Sequence, residues 1–147
     1  MNTDVNLGFS TGVQNVSING KCTVHVNFTD SAFIERVFNA FDVLDGLEDK
    51  YRPLIENAQS GKEVFGYARD RDAEMRDVVN GIFGEDVCSP IFGNMHISAA
   101  AEGLPLWANM LLAFIDNMDS TLANEKKQTN PRLKKYVEKY QKYQKKQ

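Results

Sequence analysis

The sequence predicts an α+β fold, in which an N-terminal β-hairpin precedes a mainly α-helical bundle of three to four helices. Two kinds of periodicity lead to this prediction. Apolar and polar residues alternate over residues 13–28, as they do in half-buried strands. Further along, apolar residues recur at three- and four-residue steps over about 30–58, 64–83 and 98–124, as they do in helices with one buried face.

Composition and charge divide the chain into three parts. Residues 1–12 are rich in Asn, Thr, Gly and Ser without periodicity, which predicts a mobile arm. Residues 13–124 suit a single domain, because 147 residues with 42% hydrophobic and 25% charged side chains can form one core. Residues 125–147 carry nine of the 17 Lys and Arg but only two of the 20 Asp and Glu. An acidic body therefore carries a basic tail.

The hairpin is predicted from the residues on either side of the turn at Asn19-Gly20. A two-residue loop would place Val16 and Ile18 on the opposite face from the apolar residues of the second strand. A three-residue loop with a left-handed Gly20 in a bulge restores one apolar face, so we expect that loop. Because an isolated two-stranded ribbon is only marginally stable, this face must lie on helices, on further strands or on another subunit.

The first helix has a well-defined predicted start. Thr29 is expected as the N-cap, with Asp30 against the positive helix end and Phe28 packed on Phe33 as a hydrophobic staple. Between Gly46 and Pro53 we expect a kink or break, because proline in a helix interior removes a hydrogen bond and clashes with the preceding turn.

Later elements follow from spacing and from glycine. The helix over 64–83 places Phe65, Met75 and Ile82 at helical spacing, and Gly84 is its expected C-cap. The connection over 85–95 is predicted to tuck against the core. The stretch 104–118 is shorter than the roughly 20 residues of a membrane span. We therefore expect a buried helix, either central in the bundle or at an oligomer contact, after a short helical turn over 98–102.

Two interpretations of the basic tail stay open. After Asn130-Pro131, one helical face is apolar and aromatic, and lysines cover the others. The tail is either a frayed, solubilising lysine segment or a basic amphipathic helix that becomes ordered on a partner.

Motifs for catalysis and metal binding are missing from the sequence. It has no GxSxG elbow, glycine-rich phosphate loop, HExxH or cysteine quartet. Asp70-x-Asp72-x-Glu74 begins like a calcium loop, but Met75 stands where that loop needs glycine. Cys88 and His96 lack an oxyanion or orienting group. We predict no enzyme, no cofactor and no metal, and a cytoplasmic setting because the N-terminus lacks a secretory pattern.

The order of short motifs resembles that of small tail assembly chaperones, which long-tailed (siphovirus-type) phages and prophages of Gram-positive bacteria encode. The resemblance covers roughly residues 16–122. The motifs that carry it are Ile18-Asn19-Gly20-Lys21, then Val24-x-Val26-x-Phe28-Thr29-Asp30-x-x-Phe33, Ile82-Phe83-Gly84-Glu85 and Ile91-Phe92-Gly93 before an apolar helix.

The resemblance implies a non-enzymatic protein that binds the phage tape measure protein and keeps it soluble while tail tube protein subunits polymerise around it. Such a protein works in the host cytoplasm and is not expected in the finished virion. Many of these chaperones also have a frameshifted longer form that recruits tube subunits. Self-association into a homo-oligomer stays open, and no membrane partner is expected.

The docking surface is expected on the hairpin edge or on the apolar helix, with a second contact on the tail. The residues expected to bind a partner are Leu104, Trp107, Leu111, Phe114, Leu133, Tyr136, Tyr140 and Tyr143. One rival is a virion structural protein of the tail or connector. The other is a nucleic-acid binder acting through the tail lysines, which the acidic body and the single tail arginine, Arg132, make the weaker alternative.

Overall fold

A computed structural model describes residues 3–127 of the chain and confirms the predicted α+β class. An N-terminal antiparallel hairpin is followed by four helices, with a second, very short hairpin before the last helix. The elements are β1 (Gln14–Ile18), β2 (Cys22–Val26), α1 (Ser31–Glu56), α2 (Gly61–Phe83), α3 (Cys88–Phe92), β3 (Ala100–Ala101), β4 (Leu104–Pro105) and α4 (Leu106–Lys127).

The first hairpin has the predicted three-residue loop. Ile18 pairs with Cys22, so that residues 19–21 form the loop, and the Lys21 amide donates to the Ile18 carbonyl at 3.0 Å. Gly20 is left-handed, with φ of 68°, and Asn19 before it also has a positive φ, of 52°. The apolar sets of both strands consequently share one face, which packs on the helices and buries Val24.

Helix α1 begins one residue later than predicted. Asp30, not Thr29, is the N-cap, and its carboxylate accepts from the Ala32 amide at 3.0 Å. Thr29 is not available as the cap because its amide and hydroxyl both donate to the side chain of Asn27, at 2.8 and 2.6 Å. The expected staple is present, since the rings of Phe28 and Phe33 pack edge to face with centroids 6.3 Å apart.

The proline in α1 does not break the helix. The helix continues through Pro53 to Glu56, and the Asn57 amide donates to the Pro53 carbonyl at 3.0 Å. Contacts with α2 hold the segment before the proline: Tyr51 is buried, and Lys50 Nζ lies 3.2 Å from Glu74 Oε1. Tertiary packing here outweighs the lost backbone hydrogen bond.

Helix α2 ends at the predicted cap, but one residue of its predicted apolar face is exposed. Gly84 is a left-handed C-cap with φ of 71°, and its amide donates to the Asn80 carbonyl. Met75, Val79 and Ile82 are buried as their spacing predicts, whereas Phe65 is 64% exposed. Phe65 lies in the first turns of α2, whereas the buried residues of this helix begin at Asp72.

The helical turn predicted over residues 98–102 is wrong. This segment contains β3, which pairs with β4 across a turn in which Glu102 and Gly103 have positive φ values of 55° and 82°. Helix α4 therefore begins at Leu106. Its first free amides are satisfied by the preceding segment, because Leu106 and Trp107 donate to the carbonyls of Ala99 and Ile97.

Helix α4 buries one face in the core of the described structure, as its apolar composition predicts. Its buried residues are Trp107, Ala108, Met110, Leu111, Phe114 and Met118. The helix continues to Lys127, past residue 125, at which the acidic body was predicted to end and the basic tail to begin.

Asp72 and Arg76 of α2 hold the connection between α3 and β3. Asp72 accepts from the Ile97 amide at 2.8 Å and from Arg76 Nε at 2.9 Å. The Arg76 guanidinium donates in turn to the carbonyls of Gly93 and Met95, each at 2.7 Å. The loop predicted to tuck against the core does so, with one turn of helix, α3, in its middle. Asp72 is thus a structural residue.

We predict that Asp72→Ala destabilises the fold by about 2–4 kcal/mol, because it leaves the buried Ile97 amide without its acceptor and the partly buried Arg76 guanidinium without its carboxylate partner. Urea unfolding followed by circular dichroism measures the change. Asp77→Ala is the matched control, since Asp77 is exposed on the same helix, and it should change the free energy of unfolding by less than about 0.5 kcal/mol. Equal effects of the two substitutions would contradict the structural role of Asp72.

Candidate partner-binding groove

An open groove with a volume of about 720 Å³ lies where the first hairpin meets α4. We call it the hairpin groove. Residues of β1 and α4 line it, together with Phe28, part of α3 and the β3–β4 turn. The apolar residues of the lining are Val16, Ile18, Phe28, Ile91, Phe92, Ala101, Leu106, Met110, Ala113 and Phe114. Both surfaces that the sequence suggested for docking, the hairpin edge and the apolar helix, thus border one groove.

The periodicity of each element explains which side chains reach the groove. Val16 and Ile18 are two residues apart in β1 and therefore point to the same face of the hairpin. On α4, the steps from Leu106 to Met110, Ala113 and Asn117 are four, three and four residues, which place these side chains along one strip of the helix.

The base of the groove is a cluster of packed phenylalanine rings. Phe28 and Phe114 line the groove and are 1% and 5% exposed, and their ring centroids lie 6.0 Å apart. Phe114 also packs on Phe83 at 5.4 Å and on Phe33 at 6.1 Å. Because each ring is held by others from separate elements, the groove is formed before any ligand arrives.

The groove carries little charge. Among the described residues that line it, Glu102 is the only charged one, and Ser17, Asn19, Asn109 and Asn117 are polar. The Asn109 amide is already used, since its Nδ2 donates to the Ala101 carbonyl at 2.9 Å and ties β3 to α4. Such a lining suits an apolar segment of a partner and offers no cationic site for phosphate.

The structure separates the residues that the sequence suggested for partner binding. Phe114 lines the hairpin groove. Leu104 is 39% exposed and borders a different cleft, next to α1. Trp107 and Leu111 are 2% and 0% exposed, so their side chains are not accessible to a partner in this conformation.

Trp107 has a structural role at this position. Its ring packs edge to face on Phe41 with centroids 5.2 Å apart, and its Nε1 donates to Glu48 Oε1 at 3.1 Å. The four expected residues of the tail, Leu133, Tyr136, Tyr140 and Tyr143, lie outside the described residues.

Sequence reasoning missed the strip of α4 that faces the groove. It selected Trp107, Leu111 and Phe114, and the first two of these point into the core. The strip that begins at Leu106 and continues through Met110 is displaced from the first by one residue, or about 100° around the helix. Both strips are apolar, so periodicity indicated that a face is buried without identifying which one. In the sequence, the only signal for Phe92 was the Ile-Phe-Gly triplet at residues 91–93, which repeats the triplet at residues 82–84.

Cys88 is not prepared to act as a nucleophile. Cys88 is 0% exposed, and burial raises the pKa of its thiol to about 12, so that the protonated form dominates at neutral pH. No described hydrogen bond joins it to His96, which borders another pocket. Within residues 3–127, no group of three or more His, Cys, Asp and Glu side chains is placed to hold a metal ion. No helix in this part of the chain has both the length and the apolarity needed to cross a membrane.

We predict that the native chain exposes one reactive thiol, that of Cys22, because Cys22 is partly exposed and Cys88 is buried. Titration with 5,5′-dithiobis(2-nitrobenzoate) at pH 8 should give one fast equivalent in the native state and a second only on unfolding in guanidinium. Cys22→Ser is the control and should abolish the fast phase. Rapid reaction of Cys88 in that native variant would contradict its burial and its raised pKa.

No protein-family model, curated protein or solved structure matches the chain. These comparisons therefore identify no family for it. Support for a function comes from the groove, from the charge distribution and from the order of the sequence motifs.

Proposed function

We propose that this protein is a non-enzymatic tail assembly chaperone of a long-tailed phage or prophage. It binds the tape measure protein and assists assembly of the tail tube around it. The observation that supports this function best is the hairpin groove, a preformed, open and almost uncharged surface on an otherwise acidic body. The resemblance of the motif order to that chaperone family directs the choice of client.

The chemistry of the groove suits such a client. A tape measure protein is long, helical and apolar, and many copies of a small protein with an apolar docking surface could coat it. An apolar groove without prominent charges binds through buried area, and an amphipathic helix can place one face in it. The exposed Ala113 and the partly exposed Phe92 keep the groove accessible to such a helix.

The charge distribution supports the same function. Residues 1–124 carry 8 of the 17 basic and 18 of the 20 acidic side chains, a net charge of −10. Repulsion between acidic bodies would keep client-bound copies soluble and apart from one another. The basic tail provides a second contact, for which tail tube subunits are the proposed partner. The protein acts in the host cytoplasm, needs no cofactor and leaves before the virion is complete.

We predict that Ala113→Arg weakens client binding at least tenfold, because a guanidinium would have to be desolvated in the groove for the client to bind. Ala123→Arg is the matched control: the same substitution on the same helix, at an exposed position outside the groove. Co-expression with the tape measure protein, followed by quantification of soluble client, measures the effect. Equal amounts of soluble client with both variants would show that the groove is not the docking site.

A second experiment separates this function from its rivals. Tagged full-length chain and a version ending at Lys127, which keeps α4 intact, are recovered from cells producing phage, and finished virions are probed for the chain. We expect the tape measure protein with both versions, tail tube protein mainly with the full chain, and none of the protein in virions. Its presence in virions would indicate a structural component. Recovery of nucleic acid alone, lost at high salt, would indicate a nucleic-acid binder.

A further inference from the structure

The N-terminal arm carries an apolar pattern that nothing in the described structure covers. Residues 3–13 form neither helix nor strand, and Val5, Leu7 and Phe9 are 80%, 80% and 84% exposed. These three residues alternate with Asn6 and Gly8, so an extended arm places all three side chains on one side. Three neighbouring large apolar side chains in water on one face of a segment indicate a binding surface.

A free strand edge borders the hairpin groove. The first hairpin has only two strands, so the outer edge of β1 is unpaired in the described structure. Three consecutive residues of β1, Val16 to Ile18, line the groove although strand side chains alternate between the two faces of the hairpin, and Asn19 of the loop adjoins them. The groove therefore runs along the edge of β1. A strand that paired there would insert every second side chain into the groove.

We propose that the arm of one copy adds as a strand to the free edge of β1 in a second copy. Val5, Leu7 and Phe9 of the arm then fill the hairpin groove, where Phe92, Met110 and Phe114 line the wall. The spacing agrees with this placement. Residues two apart in a strand are about 6.6 Å apart, so the three side chains cover about 13 Å along β1, the length of four to five strand residues.

The path of the arm favours a second copy over the same chain. The Asn27 Nδ2 donates to the Thr11 carbonyl at 2.8 Å, and Asn27 follows directly after β2. The arm is therefore anchored at the open end of the hairpin, whereas the groove-lining residues Val16 to Asn19 lie towards the turn at the other end. Gly12 holds this path with a φ of 71°, and a Cβ there would lie 2.7 Å from Asn27 Nδ2. To reach its own groove, the arm would have to leave this anchored path and fold back along β1.

This inference deepens the proposed function and rests on it in one respect: the arm and the client would use the same groove. The exchanged arm covers the apolar surface of the free chaperone, and client binding requires its displacement. Association of the protein with itself does not depend on the identity of the client.

Analytical ultracentrifugation of the full chain tests the exchange. The wild type should sediment as a concentration-dependent species heavier than the 16.6 kDa monomer. Leu7→Asp should weaken self-association at least tenfold, because it places a carboxylate in the apolar groove. Asn6→Asp adds the same charge on the other side of the arm and should leave it unchanged. A monomeric wild type, or equal behaviour of the two variants, would overturn the proposal.

Disulfide trapping distinguishes exchange between copies from closure within one chain. In a Cys22→Ser background, Leu7→Cys and Ala113→Cys variants are mixed under a mild oxidant. A cross-linked pair of one chain of each kind is expected. If mixing gives no cross-link, while a chain carrying both substitutions links within itself at high dilution, the arm closes on its own groove and the proposal is wrong.

A peptide of residues 3–11 separates this proposal from the proposed function. It should bind a chain that lacks residues 2–9, as measured by fluorescence anisotropy, and the same peptide with Leu7→Asp should not. Binding of the peptide without displacement by tape measure segments would support arm exchange and contradict the docking of the client in the groove. If the peptide does not bind while the client still does, arm exchange is contradicted and docking of the client in the groove is supported.

Discussion

The contact between Phe28 and Phe114 joins the N-terminal hairpin to the helical part of this protein. Phe28 follows the hairpin and Phe114 lies in the middle of α4, yet their ring centroids are 6.0 Å apart. Phe33 and Phe83 complete the cluster, so the hairpin, the start of α1, the end of α2 and the centre of α4 all meet at one point. Aromatic side chains supply large buried areas, and such a cluster can hold a ribbon that would not be stable by itself.

The hairpin groove is a consequence of this arrangement. A two-stranded ribbon is too narrow to cover α4 completely, and the strip from Leu106 to Asn117 is left beside the edge of β1. The groove thus has a fixed base of packed rings and an open side with unpaired backbone groups. Hydrogen bonds from Asp72 and Arg76 hold the connection between α3 and β3 in place. This connection leads into the β3–β4 turn, which lines the groove. An apolar surface with this geometry accepts either a helix face or an added strand.

In the proposed function, the acidic body and the apolar groove would have different effects. Apolar burial is non-directional and scales with area, so it suits a client whose segments share apolarity rather than a fixed motif. Net charge controls solubility and the spacing between copies without contributing to that contact. If the arm of a second copy covers the groove as proposed, it would also keep the apolar surface of the free protein from aggregating.

Local patterns in the sequence determined the class of the fold and several of its details. The parity of the apolar residues around Asn19-Gly20 required a loop of odd length, because strand side chains alternate with a period of two, and the loop has three residues. Gly84 was identifiable as a cap, since glycine adopts a positive φ without strain. These features depend only on residues close in the chain, and the sequence contains all the information that they need.

Only the tertiary structure decided the features that depend on distant partners. Pro53 stays within α1 because α2 packs against that helix, and the segment before α4 forms a β-turn whose Ala101 carbonyl is bound by Asn109. The rotation of α4 about its axis placed Trp107 in the core and Met110 at the groove, although both are apolar. Periodicity determines how wide the apolar face of a helix is. The neighbouring elements determine which part of that face is buried in the core and which part lines the groove. The site could therefore not be located from the sequence of α4 alone.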